Sequence, residues 1–132
     1  MRAVEVELEA GAGWVLPGDD GPARAPAPWV SLLPALDPTA MGWRERGWYL
    51  GEHGRSLFDT NGNAGPTVWV DGRVVGGWTQ RRSGEIAHRL LEDVGRDAVA
   101  AVEAAAAELE RRLGDVRVTP RFPTPLQRTL SS

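Results

Sequence analysis

The sequence predicts an α+β domain: an antiparallel, barrel-like β-sheet with one long C-terminal helix packed on it. Three observations predict it. Short apolar or alternating runs recur along the chain, separated by turns rich in glycine and proline. Two runs rich in β-branched residues, Thr67-Val68-Trp69-Val70 and Arg73-Val74-Val75, flank Asp71-Gly72, a dipeptide suited to a two-residue hairpin turn. A stretch rich in Ala, Glu and Leu near the C-terminus carries apolar residues every three or four positions.

Taken in order, residues 3–9 alternate apolar and acidic side chains and predict a half-buried strand with one wet face. Gly11-Ala12-Gly13 turns the chain, and Trp14-Val15-Leu16 returns as a partner strand. Residues 17–28 hold Pro17, Pro22, Pro26 and Pro28 among glycines and predict a loop. Trp29 to Leu33 reads as a short buried strand ended by Pro34. Asp37-Pro38 is a helix start, with Asp as N-cap and Pro in the first turn, and the helix runs to about Trp43. Residues 44–66 are irregular, with one helical turn around Glu52–Leu57.

The hairpin Thr67–Arg82 is expected near the centre of the sheet, followed by a third meander strand over 85–91. Over Arg96–Leu113, residues Val99, Val102, Ala106, Leu109 and Leu113 share one face and are expected to turn inward. Gly114 stops this helix. Asp115 to Phe122 reads as a last strand, and residues 126–132 as a frayed tail.

The length of 132 residues fits one domain, 1–132. Without cysteine, disulfides, thiol catalysis and zinc–thiolate sites are excluded. No apolar run is long enough to span a bilayer, and Met1-Arg2-Ala3-Val4-Glu5 lacks the order of a signal peptide, so the expectation is a cytoplasmic protein with no membrane partner. The net charge of −3 argues against bulk electrostatic binding of nucleic acid. Its distribution is uneven. Residues 1–37 carry two Arg against six acids, whereas residues 38–91 carry seven Arg against five. The middle is therefore the plausible phosphate-facing region. All fifteen basic residues are Arg; codon bias in a high-GC genome is the plain explanation, and suitability for bidentate phosphate contacts the functional one.

The segments Trp29-Val30-Ser31-Leu32-Leu33-Pro34-Ala35-Leu36-Asp37-Pro38 and Gly42-Trp43-Arg44-Glu45-Arg46 resemble the LLPAFDP…GYRDR stretch of the winged-helix DNA-binding domain family. Asn61-Gly62, the hairpin Val68 to Trp78, the Ala/Glu helix and the segment near Arg121-Phe122 follow in the same order. The resemblance runs from about Val4 to Leu130 and is to the family's C-terminal, β-barrel-like region. That family includes bacterial DNA glycosylases that remove alkylated bases and unhook interstrand crosslinks. The resemblance implies a catalytic Gln-x-Gln or Gln-x-Asp motif in a winged-helix portion. Here the glutamines are Gln80 and Gln127, followed two positions later by Arg82 and Thr129, so neither forms it. The expectation is an accessory DNA-binding module of a repair protein, not an enzyme by itself, and either a fragment or a stand-alone gene product. Its expected partners are duplex DNA, bound weakly, and a winged-helix domain in cis or trans; oligomers are allowed. The alternative is a structural module that caps such a domain.

Within that reading, Arg73, Arg81 and Arg82 are the first candidates for DNA contact, at the hairpin tip and strand end, with Arg44 and Arg46 behind them. Each could equally be a solvated surface charge. Asp37 could orient a base or a water, but capping with a pairing to Arg44 or Arg46 explains it as well. Of six tryptophans, most are expected to fill the core, with Trp43 and Trp48 the candidates for base stacking. His53 and His88 are far apart and have no metal-ligand spacing; no metal or cofactor is expected.

Overall fold

The computed structural model describes residues 2–9 and 11–131. The chain is mixed α+β with two antiparallel sheets. Strands β1 (Val4–Leu8) and β2 (Gly11–Val15) form a two-stranded sheet of their own. Strands β3 (Val30–Leu33), β4 (Thr67–Val70), β5 (Arg73–Gln80) and β6 (Ile86–Leu90) form a four-stranded sheet in that spatial order. The central hairpin and the third meander strand therefore lie where their sequences place them.

The barrel does not form. The four-stranded sheet is covered on both faces, so it has no need to curl on itself to bury apolar surface. One face carries Val68, Val70 and Val75, packed with Val102 of helix α4 (Arg96–Leu113). The opposite face carries Trp69, Val74 and Ala87. These pack with Tyr49 and Leu50 of α2 (Gly47–Leu50), Leu57 of α3 (Gly54–Leu57), and Leu126 and Leu130 of α5 (Pro125–Leu130). The predicted face of α4 does turn inward: Val102 and Ala106 are buried, and Val99, Leu109 and Leu113 are half-buried. Among the described residues, no helix is long and apolar enough to cross a membrane.

Several local expectations are corrected. The tail expected to fray forms α5 up to Leu130. Thr124 accepts from the Gln127 amide at 3.2 Å, and the Gln127 side chain accepts from the Thr124 amide at 3.1 Å. This capping box, with Pro125 in the first turn, holds a helix that the core then buries. The strand expected over 115–122 pairs with no neighbour. Its backbone groups at Val116 and Val118 bond instead to the side chain of Gln80, whose Nε2 donates to the Val116 carbonyl and whose Oε1 accepts from the Val118 amide, both at 2.9 Å. The first helix, α1 (Pro38–Met41), stops before Trp43, and two helical turns, α2 and α3, occupy the segment where one was expected. The chain reverses before Gly11, which already lies in β2; Ala10 lies outside the described residues. Strands β1 and β2 are wet on both faces, because neither is covered by another element: Val4, Leu8 and Trp14 are all exposed.

The hairpin turn takes the geometry its sequence calls for. Asp71 and Gly72 both have positive φ, +48° and +84°, as a type I′ turn requires. Asp71 also anchors the edge strand: its Oδ1 accepts from the Trp29 amide at 2.8 Å, and its own amide donates to the Trp29 carbonyl. Between Trp69 and Val68 the register against β5 shifts, from Trp69↔Val74 to Val68↔Gly76, leaving Val75 as a bulge.

Beyond the bulge, Gly76 lets β6 pair closely within the sheet and Gly77 lets the helices of one face close on it. A Cβ at Gly76 would stand 2.1 Å from the Arg89 carbonyl oxygen of β6, and one at Gly77 would meet Leu126 and Leu57 at 2.7 and 2.8 Å. Gly76→Ala is expected to destabilise the fold by about 3 kcal/mol, since backbone must move. Gly77→Ala, which displaces side chains first, should cost about 1 kcal/mol. Gly21→Ala, where a Cβ would meet nothing within 4 Å, should be neutral. Urea unfolding of the three variants checks the order; equal midpoints for Gly76→Ala and Gly21→Ala would contradict it.

Candidate nucleic-acid interface

Strand β5 separates the sequence-predicted arginines. Arg73 opens it and Arg81 follows its end, so at about 3.3 Å per residue they stand roughly 25 Å apart. Arg73 is neutralised, its guanidinium 2.7 Å from a Glu92 carboxylate oxygen whose partner oxygen lies 2.9 Å from His53 Nε2. Arg46 is turned inward: it donates to the Ala40 carbonyl at 2.8 Å and lies 4.4 Å over the Phe58 ring. Arg44 is exposed and has no ion pair among the described residues. Asp37 is a cap, accepting from the Thr39 amide at 2.9 Å, and pairs with neither Arg44 nor Arg46. Trp43 and Trp48 are exposed, as the stacking candidates would need to be, but so are Trp14 and Trp29. Of the six tryptophans, only Trp69 is fully buried, stacked on Tyr49 at 5.3 Å, while Trp78 is half-buried.

The end of β5 is different. There Arg81 and Arg82 meet two arginines that sequence reasoning left out, Arg117 and Arg128, around a cleft of about 670 Å³. Its other walls are Gln80, Val118, Thr119, Pro120, Pro123 and Ser131, so among the described residues no carboxylate lines it. Glu85 is the nearest acid on the turn, and it holds Arg81 at 2.9 Å while Arg81 Nε donates to the Leu130 carbonyl. Arg117 is fixed by carbonyls alone, donating to Arg82, Ser83, Gly114 and Val116. It rests on Gly84, where φ is +104° and a Cβ would strike the guanidinium at 2.5 Å. The guanidinium groups of Arg82 and Arg128 have no partner among the described residues, and both residues are exposed.

Arg117 and Arg128 were missed because they fall in segments read as a strand and a frayed tail. A signal was present: Thr124-Pro125-Leu126-Gln127 is a capping box with a first-turn proline. Reading it would have ordered the tail and returned Arg128 to the folded surface.

Residues 1–112 match the family model described as DNA glycosylase AlkZ-like. The chain belongs to that family. No curated protein and no solved structure matches it. Membership in the AlkZ-like family places the chain in a DNA-repair context. The matched stretch takes in both sheets and helices α1–α3, together with α4 up to Arg112. Arg117 and Arg128 lie beyond it. The cleft therefore joins the end of β5, inside the matched residues, to residues outside them.

The glutamines of this AlkZ-like chain are both engaged in structure. Gln80 holds Val116 and Val118, and Gln127 is buried in the capping box of α5. Among the described residues no group of three or more His, Asp or Glu could hold a metal.

The loop after α3 is closed by Asp59, which accepts from the amides of Asn61 and Asn63 and from the Asn63 side chain at 2.8 to 3.0 Å. The Asn63 backbone bond, then the Asn63 side chain, hold its carboxyl below the ordinary value of 3.8. A depressed folded-state pKa stabilises above the unfolded value, and that stability is lost as pH falls through the folded one. Carbon-detected NMR should show Asp59 titrating below pH 3.8, with the Asn61 and Asn63 amide shifts following it. Titration at or above that pH would contradict the bonding described.

Proposed function

We propose that this chain is an accessory DNA-binding module of a winged-helix, DNA-glycosylase-like repair protein and that it does not itself carry the catalytic motif. The observation that carries this reading is the convergence of Arg81, Arg82, Arg117 and Arg128 on one cleft that no carboxylate lines among the described residues, in a chain of net charge −3. Phosphate contacts supply most of the affinity of such modules, and arginine meets phosphate oxygens with a paired set of donors. Helix α4 is a poor rival surface. Arg111 and Arg112 both bond to Glu108, whose carboxyl is held low chiefly by Arg112 and then by Arg111. The absence of the motif is supported by the two glutamines, neither of which has Gln or Asp two positions on and each of which bonds through its side chain to backbone. Binding is expected to be weak and to supply orientation within a larger assembly.

A second reading, a module that caps a partner domain, is favoured by one observation. The β1–β2 hairpin exposes Leu8 and Trp14, with Leu16 just beyond, outside the main sheet.

Fluorescence anisotropy with a labelled duplex at low salt decides the first reading. The double variant Arg82→Glu, Arg128→Glu is expected to weaken binding at least about tenfold, and each arginine removed should lower the salt slope by about one. Arg111→Glu with Arg112→Glu should change affinity less than about twofold, since that pair is already neutralised. An equal loss from both variants would put DNA on the wrong face. No binding at low salt, by a chain that is folded by circular dichroism, would leave the capping role.

A further inference from the structure

The lining of the cleft at the end of β5 is of two kinds. One is arginine: Arg82 and Arg128 with unpartnered guanidinium groups, Arg117 behind them, and Arg81 shared with Glu85. The other is apolar and irregular: Val118, Pro120 and Pro123. Val118 is 62% exposed although its amide is bonded to Gln80, so its methyl groups are held facing open space. We infer that this cleft takes a single unpaired nucleotide of a nucleic-acid strand, with phosphate on the arginines and sugar and base against Val118, Pro120 and Pro123.

Three features carry the inference. The first is charge: a phosphodiester brings one negative charge per nucleotide, and three of the cleft's arginines have no carboxylate partner to displace among the described residues. The second is size. A cleft of about 670 Å³ falls within the roughly 300–1,000 Å³ of pockets for small organic ligands. That is room for one or two nucleotide units, whereas a duplex offers its phosphates on a convex ridge and keeps its bases stacked inside. The third is rigidity. Arg117 is pinned by four carbonyls, Gln80 clamps Val116 and Val118, and Arg81 ties the β5–β6 turn to the end of α5. A site whose walls are already fixed loses little freedom on binding. The apolar wall also distinguishes this site from a bare phosphate patch, which would need no Val118 or Pro120.

This inference rests on the proposed DNA-binding function but goes further, because a module that only grips duplex backbone needs no preference for an unpaired strand. The test uses the whole chain. A labelled oligothymidylate of about ten nucleotides is compared by anisotropy with a blunt duplex of similar length and ionic conditions. In parallel, deoxythymidine monophosphate and inorganic phosphate are titrated while the Arg Nε–Hε NMR signals are followed. The single strand is expected to bind about fivefold or more tighter than the duplex. Arg82→Gln and Arg128→Gln, at exposed positions that hold nothing in place, should each weaken single-strand binding about fivefold or more. Val118→Ser should reduce the monophosphate response while leaving that to inorganic phosphate unchanged.

Duplex binding equal to or tighter than the single strand, with the same losses in both variants, would overturn the inference and leave the DNA-binding module standing. A response to the monophosphate in Arg82 and Arg117 without binding of any oligonucleotide would overturn both the inference and the DNA-binding function, because the site would take free nucleotides only. Binding of both strands unaffected by Arg82→Gln and Arg128→Gln would remove the cleft from either role.

Discussion

The close approach of neighbouring backbone at Gly76 and of the covering helices at Gly77 is the constraint on which the rest of the structure depends. A sheet that packs helices on both faces must present small surfaces where neighbours come nearest. At this point β6 passes within reach of one glycine, and Leu57 and Leu126 rest against the other. The bulge at Val75 works with the glycines, because it changes which side chains face α4 and which face α2, α3 and α5. Val74 and Val75, adjacent in the strand, enter opposite cores. With this point fixed, α5 can dock over β5. Docking of α5 in turn brings Arg128 and the Leu130 carbonyl to the strand's far end, where Arg81 binds that carbonyl. The cleft is thus a consequence of packing several residues away.

Net charge conceals how the carboxylates are spent. Glu92 is shared by Arg73 and His53, Glu108 by Arg111 and Arg112, and Glu85 holds Arg81. Asp37, Asp59 and Asp71 close turns or caps. Asp71 puts a negative charge at the hairpin tip, yet its carboxylate is bonded to the Trp29 amide and its work is to hold β3 in register. These acids are used locally, and three arginines without a carboxylate partner among the described residues, Arg82, Arg117 and Arg128, meet at one cleft. A chain with an acidic balance can therefore still carry a basic cleft, with a field that is short-ranged and strongly screened by salt.

Much of the fold was legible where local chemistry decided it. The Asp-Gly turn, the Asp37-Pro38 helix start and the apolar stripe of α4 each depend on a few neighbouring residues. The sequence pattern failed where side chains replaced backbone partners. Val116 and Val118 alternate like a strand, but their partner is the amide of Gln80, which no periodicity announces. The barrel expectation failed because α2 and α3 are single turns too short for a helical pattern, and they supply the second covering layer that keeps the sheet open. Of the candidate site, Arg81 and Arg82 were legible as residues at a strand end. Their association with Arg117 and Arg128 is a long-range packing outcome that required α5.

The roles of the four cleft arginines differ, and the difference bears on how such a site arises. Arg117 is a structural tie whose donors are nearly all given to carbonyls, so its charge is delivered to the cleft without freedom to move. Arg81 is divided between Glu85 and the Leu130 carbonyl. Only Arg82 and Arg128 keep their donors for a ligand. The two fixed arginines raise the local potential and hold the walls, and the two free ones can adapt to phosphate oxygens. Removing a fixed arginine would disturb structure and binding together, whereas removing a free one separates them. The same division explains why the C-terminal stretch after the matched residues 1–112 matters to the site. It supplies one arginine of each kind and the apolar wall between them, while the sheet supplies the other pair and the glutamine that fastens the wall in place.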